Sequence, residues 1–430
     1  MISPRRAQRT RSVAAFSFVP SASSVVKRVL LCGLIAAGPG LASADLLGQE
    51  KRYGLDVSTP AAEGLDTAKV RRLTERAQET NSSALVILKN GKLVLEWYGL
   101  ERQPIDAERL TAPVLSMLVG QLIDARKLVL DTVVSAFYPE WKEGRAAKIS
   151  VRHLLTQTSG LHWQPNPETL ESTGDYVEAA LSSAIPHEPG SFYVSNSNGL
   201  NLLAGVASMA AAARLDEFAR NSLFQPLGIT EFSWASDAVG SSLGMAGLHL
   251  HAVDLAKLGQ LMLDGGVWNG KRLISGEWIE RSLEPSQLSG HGLLWRLYYA
   301  RGGLSYFIDR PLLDEWSARG VPEVHVKQFS QMLDTLMVPR EYNARLAALF
   351  PGSGELQRFR DLLVRHGATA FRYKLGKRIA FYAAGTLGQY IVAYPEHNLV
   401  AVRQIHHTKH RGQGDSFSDF MDVVYALTQP

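Results

Sequence analysis

The first clear alternation of apolar and polar positions follows residue 66. Thr67 to Gln78 places apolar residues at helical spacing, and Ser83 to Leu88 and Lys92 to Tyr98 are alternating runs joined by Asn90-Gly91. An Asn-Gly pair between apolar runs supplies the two left-handed residues of a tight turn, so this stretch predicts a helix followed by a β-hairpin. Near the other end, Ile379 to Ala383, Tyr390 to Tyr394 and Leu399 to Ile405 predict three strands, with a turn at 395–398. A helix from about Ser416 to Leu427 closes the chain.

The long middle is mostly helical in pattern: Val114 to Asp124, Val151 to Leu155, Asn201 to Ala212, Leu215 to Asn221, Val253 to Leu263 and Gly276 to Ser282. Strands from both termini enclosing such a middle predict an α+β fold. In it an antiparallel sheet, built from the two ends of the chain and flanked by helices, carries a mostly helical subdomain. Residues from about Arg301 to Lys374 read as an insertion with helices of its own. Its apolar stripes Phe329, Met332, Leu333, Leu336 and Met337, then Leu356, Phe359, Leu362 and Leu363, are core-packing patterns.

Composition adds a single large core: 430 residues, 46% hydrophobic, with 37 Gly and 19 Pro. The formal charge of +4 is misleading, because Arg5, Arg6, Arg9, Arg11, Lys27 and Arg28 lie in the first 44 residues with no acid among them, and setting them aside leaves −2. The rest of the chain therefore has no electrostatic footprint for nucleic acid or an anionic membrane surface. Lys27-Arg28, the apolar run Val29 to Ala37, Gly38-Pro39-Gly40 and then Ala42-Ser43-Ala44 have the order of a secretory signal with a small-x-small cleavage site. The expected division is a leader at 1–44 and one domain at 45–430, periplasmic or secreted after cleavage near Ala44. The apolar run is short for a spanning helix, which needs about 20 residues, so no membrane span is expected in the mature chain. Cys32, the single cysteine, lies in the leader, so the mature chain can form no disulfide.

Several segments together resemble the β-lactamase-related serine hydrolases, which include class C β-lactamases, D-alanyl-D-alanine carboxypeptidases and related esterases. They are Leu118-Val119-Gly120 with Lys127-Leu128, the run Val151 to Leu161, Pro189-Gly190-Ser191-Phe192 with Ser195-Asn196, Asp254 to Gly259, Gly265 to Gly270, and Gly385-Thr386-Leu387-Gly388-Gln389. The resemblance implies the β-lactamase/penicillin-binding-protein fold and a mechanism in which the Ser of Ser-x-x-Lys attacks an acyl carbon while the Lys helps to remove its proton. Counted back from Leu118, the Ser place is Arg109 and the Lys place Ala112. A guanidinium is no nucleophile, and a methyl group accepts no proton. Pro113 lacks an N–H, which predicts a helix starting with Thr111 or Ala112 near its cap. The only Ser-x-x-Lys elsewhere, Ser24-Val25-Val26-Lys27, lies in the leader.

The family's second motif, Tyr-x-Asn, aligns with Val194, Ser195 and the retained Asn196, or, shifted by one residue, with Tyr193-Val194-Ser195. Its third, Lys-Thr-Gly or a looser variant, aligns with Thr386-Leu387-Gly388, whose strand can supply one N–H of an oxyanion hole. Thr111 and Ser116 are spare hydroxyls with no activating base nearby in sequence. His406 and His410 have the i,i+4 spacing of a metal pair, but in a cationic, Gly-rich turn. His249 and His251 alternate with Leu248 and Leu250 as one face of a strand, and His153 reads as a structural hydrogen-bonding group. No metal and no cofactor is expected.

The function expected from these residues is an exported, catalytically inactive relative that serves as a binding or regulatory pseudoenzyme. The alternative is an active esterase, peptidase or β-lactamase-like hydrolase with a rearranged site using Tyr193 or a displaced Ser. Arg109 beside a helix N-terminus makes a small anion or peptide carboxylate the expected ligand, unless it turns to solvent or pairs with Asp106 or Glu108. The 301–374 insertion is the candidate surface for a protein partner.

Overall fold

The computed structural model describes residues 50–286, 290–300, 303–352, 354–385, 387–409 and 415–429. The proposed leader lies outside them. Six antiparallel strands form the main sheet in the order Arg296–Tyr299, Arg378–Ala384, Tyr390–Tyr394, Leu399–Gln404, Ala84–Lys89, Lys92–Tyr98. The hairpin at Asn90-Gly91 forms as expected, with Asn90 at φ 54° and Gly91 at φ 74°. The chain ends meet where Leu399–Gln404 pairs with Ala84–Lys89, so the sheet is closed by a contact between residues more than 300 apart.

Side chains alternate between two dry faces. Val86, Leu88, Ile391, Ala393, Val400 and Val402 join the large core beneath the Ala252–Leu263 helix. Leu85, Ile87, Val392, Leu399 and Ala401 pack against Val70, Leu73 and Ala77 of the Thr67–Glu79 helix and against Phe420 and Val424 of Phe420–Ala426. Burial on both faces explains why these strands read as nearly continuous apolar runs. Among the described residues, no helix is long and apolar enough to cross a membrane.

Two motif glycines are steric requirements. A Cβ on Gly120 would sit 2.3 Å from the Trp278 ring of the Gly276–Ser282 helix, and a Cβ on Gly160, held at φ +77°, would sit 2.2 Å from the His187 carbonyl oxygen. Both permit close approaches that any larger residue would block.

Among the differences from the sequence expectation, three bear on the site and the sheet. The Thr111–Asp124 helix begins ahead of Val114, with Leu110 rather than Thr111 or Ala112 at its cap. Pro113 is tolerated because first-turn N–H groups have no intrahelical partner. The last helix is shorter than expected, at Phe420–Ala426. The edge strand Arg296–Tyr299 went unrecognised, since four residues beside Trp295 give too short an alternation to register.

That edge strand explains the insertion. From it the chain enters a two-stranded ribbon, Leu304–Phe307 against Arg372–Leu375, which carries four helices and then delivers the chain to Arg378–Ala384, the neighbouring strand. The helices Arg310–Ala318, Glu323–Ser330, Pro339–Leu349 and Glu355–Arg365 enclose a separate core of Leu312, Leu313, Trp316, Phe329, Tyr342, Phe359 and Leu363. Phe359 stacks on Phe350 at 4.6 Å and on Phe329 at 5.0 Å.

At the end of the sheet nearest the candidate site, Arg403 is fully buried and each of its donors meets oxygen. Nε donates to Ser82 Oγ at 2.7 Å, Nη2 to Thr80 O at 3.0 Å and Ser416 Oγ at 3.2 Å, and Nη1 to Asp415 Oδ1 at 3.2 Å and to the Gly388 carbonyl.

Two outcomes are expected. Arg403→Leu removes the cation from beside Asp415 and orphans several buried acceptors, so it should destabilise the domain by about 3 kcal/mol in urea unfolding; a loss below ~1 kcal/mol would contradict the role given to this residue. Replacing residues 308–371 by Asn-Gly, between the directly paired Phe307 and Arg372, should leave a cooperatively unfolding domain, because the excised core is separate. Loss of the cooperative transition in calorimetry would contradict that independence.

Candidate functional site

A cleft of about 60 Å³ opens where the Thr111–Asp124 helix, the 155–157 segment, the 193–195 loop, the 291–296 segment and the end of the Arg378–Ala384 strand converge. Its walls include Arg109, Ala112, Pro113, Gln157, Tyr193, Ser195, His291, Arg296, Ala383 and Ala384. Each wall has a local cause.

The first wall begins with a 3₁₀ turn, Glu108–Leu110, entered through Glu108 at φ 53°. Asp106 Oδ1 accepts the Glu108 N–H at 2.8 Å and the Gly247 N–H at 3.2 Å, so this carboxylate is committed to backbone. Arg109 follows, exposed at the cleft, and its Nη1 donates to Ser195 Oγ at 2.9 Å. It pairs with neither Asp106 nor Glu108. Ala112 lies one turn further along the same wall, almost wholly buried. Thr111 and Ser116 are fully buried, so neither hydroxyl is accessible to a substrate.

The second wall depends on the Thr156-Gln157-Thr158-Ser159-Gly160 segment. Gln157 stands at φ 55°, its carbonyl accepts the Val194 N–H at 3.1 Å, and the Thr158 carbonyl accepts the Gly190 N–H at 2.7 Å. These bonds hold the 190–195 loop. Tyr193 and Ser195 line the cleft, whereas Val194 and Asn196 do not. Asn196 is the N-cap of the Ser197–Ala211 helix: Oδ1 accepts the Gly199 N–H at 2.9 Å and Nδ2 donates to Leu161 O at 2.8 Å, so its amide is spent on structure. Tyr193 and Ser195 therefore share one side of this loop, as alternation in an extended segment places residues two apart.

The third wall differs from expectation. Ala383 and Ala384 form it, while Leu387 and Gly388 lie outside it and Thr386 is not among the described residues. The Gly388 carbonyl accepts from the buried Arg403 guanidinium.

Electrostatically the cleft is a cationic pocket. Among the described residues, its walls contain Arg109 and Arg296 and no Asp or Glu. Burial, aided by the Arg296 charge, pushes the His291 imidazole down to about 4, so it is neutral near pH 7. The Tyr193 ring lies edge-on to His291 at 5.7 Å. Burial raises the Tyr193 phenol above its ordinary value against the opposing pull of Arg296 and Arg109, so it stays protonated. The cleft thus offers donors and positive charge, and the depressed proton affinity of His291 makes it a weak base. An arginine remains protonated and donates only, so it cannot deprotonate Ser195.

His291 and Arg296 were missed in the sequence because they flank the unrecognised edge strand; Gln157 lay inside a quoted motif but carried no assigned role. The other histidines serve locally. His153 Nδ1 accepts the Ser150 N–H at 3.1 Å in a capping box, and His251 Nε2 lies 2.9 Å from Glu231 Oε2. His406 stacks on His407 at 4.2 Å, and His410 falls outside the described residues. Among the described residues, no three metal-ligating side chains cluster.

Comparison with known proteins now places the chain. The chain is 22% identical over 259 residues to a provisionally named penicillin-binding protein, PbpX, of Bacillus subtilis (strain 168), covering 52% of this chain and 63% of that protein. It is 25% identical over 255 residues to a 6-aminohexanoate-dimer hydrolase of Paenarthrobacter ureafaciens, covering 53% and 64% respectively. The matches thus span less than two thirds of either relative's length. A provisionally named 6-aminohexanoate-dimer hydrolase from Bacillus anthracis superposes with a TM-score of 0.58 at 14% identity, over 82% of this chain and 80% of that one, which is a likeness of fold. Residues 70–416 match the family model described as Beta-lactamase. With the sheet closed by the chain ends and the cleft at its edge, the chain belongs to the Beta-lactamase family and has the β-lactamase/penicillin-binding-protein fold.

Proposed function

We propose that this member of the family is catalytically silent and that its cleft binds a ligand without cleaving it. The observation that carries the reading is the pair Arg109 and Ala112 at the cleft lip, at the positions of the family's nucleophilic Ser and its Lys. Arg109 Nη1 donates to Ser195 Oγ at 2.9 Å, so a cation rather than a base lies against this hydroxyl. Removing the nucleophile of a serine hydrolase costs on the order of 10⁶ in turnover, which leaves nothing physiologically useful. The related penicillin-binding protein and amide hydrolase supply the ligand classes to try first: peptides and small amides or acids derived from them. The order of features at 27–44 supports export to the periplasm or beyond the cell, with the cleft facing extracytoplasmic ligands.

The rival is a hydrolase that uses Ser195 or Tyr193. A fluorophosphonate probe separates the two. The wild-type protein should remain unlabelled by intact mass, whereas a stoichiometric adduct mapped to Ser195, Tyr193 or any other cleft residue would end the silent reading. The same probe should label the triple variant Arg109→Ser, Ala112→Lys, Pro113→Ser, because the walls that hold the cleft are otherwise in place. A folded triple variant that stays unlabelled would mean that the chemistry has been lost at more than these positions.

A further inference from the structure

Resting on the reading of the cleft as a non-hydrolytic pocket, we infer that Arg109 and Arg296 form a two-guanidinium clamp for the carboxylate of a small acid with a short apolar substituent. Three observations carry it. Both guanidiniums line one small cleft, and no carboxylate among its walls neutralises them. Arg109 has a neutral partner, Ser195 Oγ, and Arg296 makes no ion pair among the described residues. Two cations facing one solvent-filled space are mutually unfavourable unless an anion joins them.

The size and lining of the space select the ligand. About 60 Å³ accommodates roughly four or five water-sized groups, which fits a carboxylate with one or two carbons inside the walls. A guanidinium presents paired N–H donors that match the fork of a carboxylate. Ala112, Pro113, Leu155, Leu200, Leu294 and Ala383 give an otherwise mainly polar lining an apolar part, so one short alkyl group beside the carboxylate fits it better than a second charge. Tyr193 and His291 complete the rim as neutral donors rather than as competing charges. Ser195, held by Arg109, is positioned to donate its own proton to the bound oxygen.

His291, with its proton affinity depressed to about 4, adds a third positive charge only in acid. Carboxylate affinity should therefore be level between about pH 6 and 8.5.

Calorimetric titration of the full chain with butyrate, butyramide and inorganic phosphate tests the proposal. Butyrate should bind, and more weakly as salt rises. Butyramide, of nearly the same shape, should bind at least about tenfold more weakly. Arg109→Gln and Arg296→Gln, both exposed positions, should keep the unfolding temperature of the free protein, each weaken butyrate about tenfold or more, and together abolish it. Equal affinities for butyrate and butyramide, butyrate affinity unchanged in either variant, or phosphate binding without butyrate binding would each overturn the carboxylate clamp. A fluorophosphonate adduct on protein that still binds butyrate would sink the silent reading and leave the clamp standing; an unlabelled protein that ignores butyrate would do the reverse.

Discussion

A full positive charge sits at the end of a sheet whose two faces are dry, and the surrounding backbone is arranged around it. Arg403 is stable there only because its five donors meet the Ser82 hydroxyl, the Thr80 and Gly388 carbonyls, the Ser416 hydroxyl and the Asp415 carboxylate. Those acceptors come from the N-terminal helix, the turn after the Arg378–Ala384 strand and the start of the C-terminal segment. One side chain thus ties together the two chain ends that build the sheet and the turn after the Arg378–Ala384 strand. The Phe417 ring, 5.4 Å from the guanidinium, covers the charge.

The scaffold keeps the close approaches that its motif glycines permit, and the proposed loss of chemistry is confined to the cleft. Gly120 still admits Trp278, Gly160 still lies against the His187 carbonyl, and the 156–160 segment still carries the loop that presents Tyr193 and Ser195. Against that background, Arg109 and Ala112 are local changes at the one place where reactivity is decided. Substituting a cation for a nucleophile alters the kind of molecule the cleft attracts. An acyl carbon is attacked by a lone pair, whereas a guanidinium seeks one. On the proposed reading, the residues at 109 and 112 together turn a site that would attack carbonyl carbon into one that attracts carboxylate oxygen.

Much of this was legible in the sequence because the signals are local. Asn90-Gly91 announces a hairpin through backbone torsion alone, and the apolar runs at Tyr390–Tyr394 and Leu399–Gln404 announce buried strands through composition. The absence of Ser and Lys at 109 and 112 can be read once the register is fixed by Leu118-Val119-Gly120. What stayed hidden depends on long-range pairing. Arg296–Tyr299 becomes a strand by pairing with Arg378–Ala384 across the insertion, and only then do His291 and Arg296 arrive beside Tyr193. Which of Tyr193 and Val194 faces the cleft is likewise a matter of which way a loop turns, and the Val194 N–H bond to the Gln157 carbonyl helps to hold that loop. The commitment of the Asn196 amide to a helix cap and to Leu161 is tertiary information too.

The most direct test of catalytic silence is a stopped-flow reaction with an activated ester such as p-nitrophenyl acetate, following release of the leaving group in the first turnover. The account predicts no burst, and slow release at a rate indistinguishable from that of Ser195→Ala. A burst equal to one leaving group per protein molecule, lost in Ser195→Ala or in Tyr193→Phe, would contradict it.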